Sequence, residues 1–232
     1  MKYGILAAGE GSRLAQEGID VPKPLVTLHG EAMIDRLIRI FCDNDAEEIA
    51  IITNNLTLLT QQHIRDLQCS DARIKLIVKT TPSSMHSFYE LHSLLGSGKF
   101  CLTTVDTIFR EKEFKEYIQT FNNMTGDGLM AVTDYVDDEK PLYIATDNQM
   151  RILGFYDEKR DDTKYISGGI YCLTDKSFST LERCMRDGIS RMRNFQRQMV
   201  YDGLQLQAYP FSKILDVDHV EDIKKAEEFI KK

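Results

Sequence analysis

Tyr3-Gly4-Ile5-Leu6-Ala7-Ala8-Gly9-Glu10-Gly11-Ser12-Arg13-Leu14, followed by Val21-Pro22-Lys23-Pro24-Leu25, is the stretch from which the fold of this chain is read. Ile5, Leu6 and Ala7 make a short apolar strand, and two glycines follow with one residue between them. Glycine accepts positive φ and lets backbone N–H groups come close to a ligand. A turn that leaves a strand and exposes successive N–H groups is a cradle for phosphate. Arg13 adds a guanidinium that grips phosphate oxygens in pairs, and Lys23 adds a mobile point charge. Pro22 and Pro24 fix φ on either side of Lys23, which predicts an extended loop there. The expectation is an anion site near the amino terminus.

Spacing tests the rival readings of a glycine turn. A P-loop needs Lys-Ser or Lys-Thr directly after its last glycine, where this chain has Ser12-Arg13. A dinucleotide fingerprint needs a third small residue three places beyond Gly11, where the bulky Leu14 stands. Two glycines alone are also compatible with a purely structural turn.

Downstream, Met33, Ile34, Leu37, Ile38 and Phe41 recur at helical spacing within 31–42, and Ile49 to Thr53 reads as a buried strand. Asn55 is the expected cap of a helix over 56–67, and Ile74 to Val78 is the next strand. Strands alternating with helices imply a parallel sheet with right-handed crossovers. The expected fold is a single α/β domain over 1–232, with a Rossmann-like, mostly parallel sheet and helices on both faces. Its first half, about 1–110, is assigned to the nucleotide, and 111–232 to the acceptor and a last helix. Ligands of such sheets sit at the carboxyl ends of the strands, where the Gly9–Gly11 turn falls.

Composition narrows the partners. With 232 residues the chain can bury a sizeable core, and its formal charge of −7 argues against a nucleic-acid surface. Five scattered cysteines without Cys-x-x-Cys spacing predict reduced thiols in the cytoplasm. No signal peptide or membrane-spanning run is expected, and a homo-oligomer is compatible with the composition.

The residues from Leu6 to Leu14 and from Pro22 to Leu25 resemble the signature of the nucleotidyltransferases that make nucleoside-diphosphate sugars. That signature reads Leu-Ala-Ala-Gly-x-Gly-Ser/Thr-Arg-Leu, then Pro-Lys-Pro-Leu. The resemblance implies that Leu6, Ala7, Ala8, Gly9, Gly11 and Ser12 bind the nucleotide, and that Arg13 and Lys23 act on its phosphates. It places the loop Ser83-Ser84-Met85 beside base and ribose, where the family usually has Gly-Thr-Ala.

By the same resemblance, Asp106 at the end of the run 100–106 holds Mg²⁺, although a lone Asp after a strand is commonly a turn residue. Glu158-Lys159 resembles a Glu-Lys-Pro motif that contacts the acceptor sugar and its phosphate, with Arg160 in place of proline. Gly168 and Gly169, in Ser167 to Tyr171, resemble a strand whose glycine admits the acceptor. The second metal carboxylate is Asp216 or Asp218, depending on which variant of the carboxy-terminal motif is matched. Asp218 also reads as a helix cap, with Glu221 completing a capping box. No left-handed β-helix domain of the kind attached to some relatives is expected.

The implied reaction is Mg²⁺-dependent transfer of a nucleotidyl group from a nucleoside triphosphate to a sugar 1-phosphate, releasing pyrophosphate. A CTP-dependent enzyme acting on a phosphomonoester such as phosphocholine, and a non-catalytic nucleotide-sugar sensor, remain open beside it.

Overall fold

The strand that opens the sequence lies inside the sheet, paired with a parallel neighbour on each side. The computed structural model describes residues 1–137 and 139–231. In chain order these form β1 (Lys2–Ala7), α1 (Ser12–Gln16), a 3-10 turn (Lys23–Leu25), β2 (Thr27–Leu28), β3 (Glu31–Ala32), α2 (Met33–Cys42), β4 (Glu48–Thr53) and α3 (Leu58–Ser70). Then follow β5 (Ile74–Val78), α4 (Ser84–Leu95), β6 (Lys99–Thr104), β7 (Thr107–Ile108), α5 (Glu111–Asn123), β8 (Gly128–Thr133), β9 (Tyr143–Thr146) and β10 (Ile152–Tyr156). The remainder is β11 (Thr163–Thr174), α6 (Lys176–Arg186), α7 (Met192–Tyr201), β12 (Leu206–Pro210), β13 (Leu215–Asp216) and α8 (Val220–Ile230).

Strands β5, β4, β1 and β6 lie side by side and parallel, with Ile5 of β1 facing Ile51 on one side and Thr103 on the other. This is the expected α/β architecture. Beyond β6 the sheet becomes mixed, because the twelve-residue β11 runs antiparallel to β6, β8 and β9. Its register shifts between Ser167 and Tyr171. Gly169 sits there at φ 75°, and a Cβ on Gly168 would lie 2.2 Å from Ile214 Cδ1. The two glycines therefore let β11 bend while Ile214 packs directly on it.

Period-two alternation divides the core. Tyr3, Ile5 and Ala7 point to one face and pack with Ile34 and Phe41 of α2, Ile64 of α3 and Phe114 of α5. Leu6 points to the other, with Met85 and Phe88 of α4, Leu181 of α6 and Phe195 of α7. A third cluster joins Leu14, Val26, Leu28, Leu215, Val217 and Ala226 of α8 beneath the amino-terminal loop.

Two local expectations are corrected. The carboxamide that caps the turn before α3 belongs to Asn54, not Asn55; its Oδ1 accepts from the Leu56 and Thr57 amides at 2.9 and 3.0 Å. Asn54 is 1% exposed, so a buried polar group found its partners in the orphan amides ahead of the helix. At α8 the cap is His219 with Asp222, whose carboxylate accepts from the His219 amide at 2.8 Å, rather than Asp218 with Glu221. Asp218 is engaged elsewhere by cations. The β9–β10 connection runs through 147–151, where Asp147 Oδ1 accepts from the Gln149 and Arg151 amides at 2.9 Å each.

Candidate active site

The Gly9–Gly11 turn leaves the carboxyl end of β1 and is braced from β4, where the Asn54 amide donates to the Ala8 and Gly9 carbonyls at 3.2 Å each. Gly11 has φ 63°, and a Cβ there would lie 2.8 Å from Lys23 Cβ. Glycine is thus required twice over, for its backbone angle and for the close approach of Lys23. Pro22 is extended as expected, but Lys23, Pro24 and Leu25 close a 3-10 turn, with the Leu25 amide donating to the Pro22 carbonyl at 2.8 Å.

That turn aims Lys23 into the interior, where it is 10% exposed. Its Nζ donates to Asp106 Oδ2 and, at 2.7 Å, to Asp218 Oδ1. Arg13 Nη1 donates to the other oxygen of Asp218 at 2.9 Å, and Arg13 Nη2 lies 3.7 Å from Glu139. Burial works against the charge on Lys23. The Asp106 charge and the hydrogen bonds to both carboxylates outweigh it and hold its pKa above the usual lysine value.

Asp106 lies two residues past the end of β6, on the strand edge that carries the glycine turn. The carboxy-terminal carboxylates reach it through a two-stranded ribbon, in which β13 pairs antiparallel with β7 and Asp216 faces Thr107. The Val217 amide donates to the Asp106 carbonyl at 3.1 Å, and the Thr107 hydroxyl donates to Asp216 Oδ1 at 3.2 Å. The ribbon thereby turns Asp218 toward Lys23 and Arg13, and Asp216 toward Thr107.

Two clefts meet here. The first, about 560 Å³, is walled by Gly9, Gly11, Lys23, Ser83, Asp106 and Asp218, among others. The second, about 630 Å³, lies across Arg13 and Asp218 and is walled by Asp216, Gly168, Tyr135, Lys140, His219 and Lys225, among others.

Leu6, Ala8, Ser12, Arg13 and Ser84 also line the first cleft. Ala7 and Met85 line neither cleft: Ala7 points into the α2–α3–α5 core by strand alternation, and Met85 is fully buried on the core side of α4. Glu158 and Lys159 line neither, because the β10–β11 turn carries both outward and leaves them exposed. Gly169 sits behind the second cleft, near Thr107. Thr80 and Thr81 wall the first cleft beside Ser83, while Asn54, Glu139 and Thr107 stand at the site without having been expected there. Only Asn54 had a signal, as a buried-type polar residue at the end of a strand.

Asp106 and Asp218 converge on one ammonium, so both supply hard oxygen donors toward a common point. Among the described residues no group of three Asp, Glu, His or Cys side chains gathers at metal-ligand distance. Two carboxylates with open positions fit a Mg²⁺ that takes its remaining ligands from phosphate and water.

A family model described as nucleotidyl transferase matches residues 4–232. Bifunctional IPC transferase and DIPP synthase of Thermococcus kodakarensis is 29% identical over 127 residues, 55% of this chain and 27% of that protein. Bifunctional protein GlmU of Methanococcus aeolicus is 25% identical over 182 residues, 77% of this chain and 41% of that protein. The chain therefore spans less than half the length of these two curated relatives. The solved inositol-1-phosphate CTP transferase from T. maritima superimposes with a TM-score of 0.77 at 20% identity, covering 100% of this chain and 98% of that one. At that identity the match is one of fold.

Proposed function

The chain belongs to the nucleotidyl transferase family, and from that premise we propose that it moves a nucleotidyl group from a nucleoside triphosphate to the phosphate of a sugar 1-phosphate, releasing pyrophosphate. The observation that carries this is Lys23, held between Asp106 and Asp218 beside the Gly9–Gly11 turn. In the proposed mechanism the glycine turn presents its amides to the triphosphate. Lys23 and Arg13 leave their carboxylates for phosphate oxygens, Lys23 at the α-phosphate and Arg13 toward the departing pyrophosphate. A Mg²⁺ held by Asp106 and Asp218 would supply further neutralisation of phosphate charge. Catalysis is then positioning and charge stabilisation, since the acceptor phosphate is itself the nucleophile.

We assign the first cleft to the nucleotide and the second to the acceptor. Asp216, Gly168 and Gly169 stand on the acceptor side. Glu158 and Lys159 join only through movement of the β10–β11 turn. A second reading, CTP as donor and an inositol phosphate as acceptor, is favoured by the full-length likeness to the inositol-1-phosphate CTP transferase. We place the protein in a reducing compartment such as the cytoplasm, since its five cysteines are free thiols. Among the described residues no helix is long and apolar enough to cross a membrane.

Pyrophosphate release from ATP, CTP, GTP, UTP and dTTP against a panel of sugar, inositol and choline phosphates tests the proposal. Turnover with a sugar 1-phosphate is the expected result. Turnover confined to CTP and inositol phosphate selects the second reading, and nucleotide binding without turnover in any pair rejects catalysis.

A further inference from the structure

Lys23 occupies the one point on which Asp106 and Asp218 converge, which is also where a shared cation would stand. It is held there firmly. The Lys23–Leu25 turn sets its backbone, Gly11 packs against its Cβ, and its side chain is 10% exposed. The second oxygen of Asp218 is already taken by Arg13 at 2.9 Å. Asp106 and Asp218 are thus offset by two side-chain cations, of which Arg13 also lies 3.7 Å from a third carboxylate, Glu139. A divalent ion arriving alone would lose water and displace an ammonium without gaining net negative charge.

A triphosphate changes that balance. Its oxygens compete for Lys23 and Arg13, and both carboxylates are released with their charge uncompensated. We propose that Lys23 is the resident counter-ion of the free protein's site, excluding divalent cations from Asp106 and Asp218 until a triphosphate draws its ammonium away. The inference rests on the reading of those two carboxylates as the metal ligands. Nucleotide and ion then bind with mutual positive coupling, because whatever removes Lys23 for one removes it for the other.

The test needs neither nucleotide nor turnover: Mn²⁺, followed by its paramagnetic resonance signal, is titrated into the free full-length chain. Lys23→Met is expected to bind Mn²⁺ about tenfold or more tighter than the wild type, the scale of a typical coupling between linked sites. Lys23→Gln, uncharged but still a hydrogen-bond donor, is expected to behave like Lys23→Met, and provides the second variant should the first fold poorly. Lys23→Arg keeps a cation in place and is expected to remain as weak as the wild type. A matching rise in melting temperature with Mn²⁺, in the uncharged variants only, supports the same conclusion. Equal Mn²⁺ affinity in wild type and both uncharged variants overturns the role of Lys23. Tight binding in Lys23→Met that survives the added change Asp106→Asn overturns instead the assignment of Asp106 as a ligand.

Discussion

At Lys23, charge and position come from different parts of the chain. The ammonium is supplied by the Pro-Lys-Pro segment, while its location follows from a hydrogen bond to Asp218, 195 residues away. Lys23→Ala and Asp106→Asn are each expected to lower kcat by about 10²-fold or more, the scale of losing one preorganised charge at a developing oxyanion. Pyrophosphate release at saturating substrate measures this, and a change in KM alone would assign either residue to binding only. Both positions were singled out in the sequence through the family resemblance, Lys23 from its Pro-Lys-Pro motif and Asp106 from the strand end that matches the family's. The choice between Asp216 and Asp218 was not legible there. Residues two apart share a face of an extended segment, so spacing treats them alike; only the contacts to Lys23 and to Thr107 separate them.

Among the elements, α1 and the start of α8 are joined by a single carboxylate. Glu17 accepts from the Val220 amide at 2.7 Å and also meets the His219 ring. Its hydrogen bond to Glu17 raises the His219 pKa above 6.5, and that bond together with the Val220 amide lowers the Glu17 pKa below 4.5. The His219 contribution is therefore complete below pH 6.5 and is lost as pH rises through its elevated folded value. The Glu17 contribution is complete above pH 4.5 and is lost as pH falls through its depressed folded value. Stabilisation by the pair peaks between those limits. The melting-temperature difference between wild type and Glu17→Gln is expected to be largest between pH 4.5 and 6.5 and to shrink as pH rises through the elevated His219 value. A difference that does not vary with pH would show that the amide contact alone matters. The sequence disclosed the helix but not this tie, because nothing in local spacing relates Glu17 to His219.

Across the whole molecule, β11 joins the parallel half of the sheet to the mixed half, and Tyr117 secures it from behind. The Tyr117 hydroxyl, fully buried, donates to the Leu129 carbonyl at 2.5 Å and accepts from the Cys172 amide at 3.0 Å. Tyr117→Phe removes both bonds and leaves a buried amide short of an acceptor. Its expected cost is about 1–3 kcal/mol in urea unfolding. Turnover per folded molecule should stay unchanged, since Tyr117 lines neither cleft; a fall in turnover with stability intact would show that the seam also sets the site.

The sequence by itself determined the alternation of strands and helices, the position of the glycine turn at a strand's carboxyl end, and the cations gathered around it. Those are local properties: apolar period, backbone freedom at Gly11, and charge at Arg13 and Lys23. Only the tertiary structure decided that Asp218 closes on Lys23 and Arg13, that Asn54 braces the turn, and that the β10–β11 turn carries Glu158 and Lys159 away from the clefts. Each of these depends on pairings between distant segments, above all β13 with β7. Their register is set by which apolar side chains the shared core can bury, and no local window of sequence contains that information.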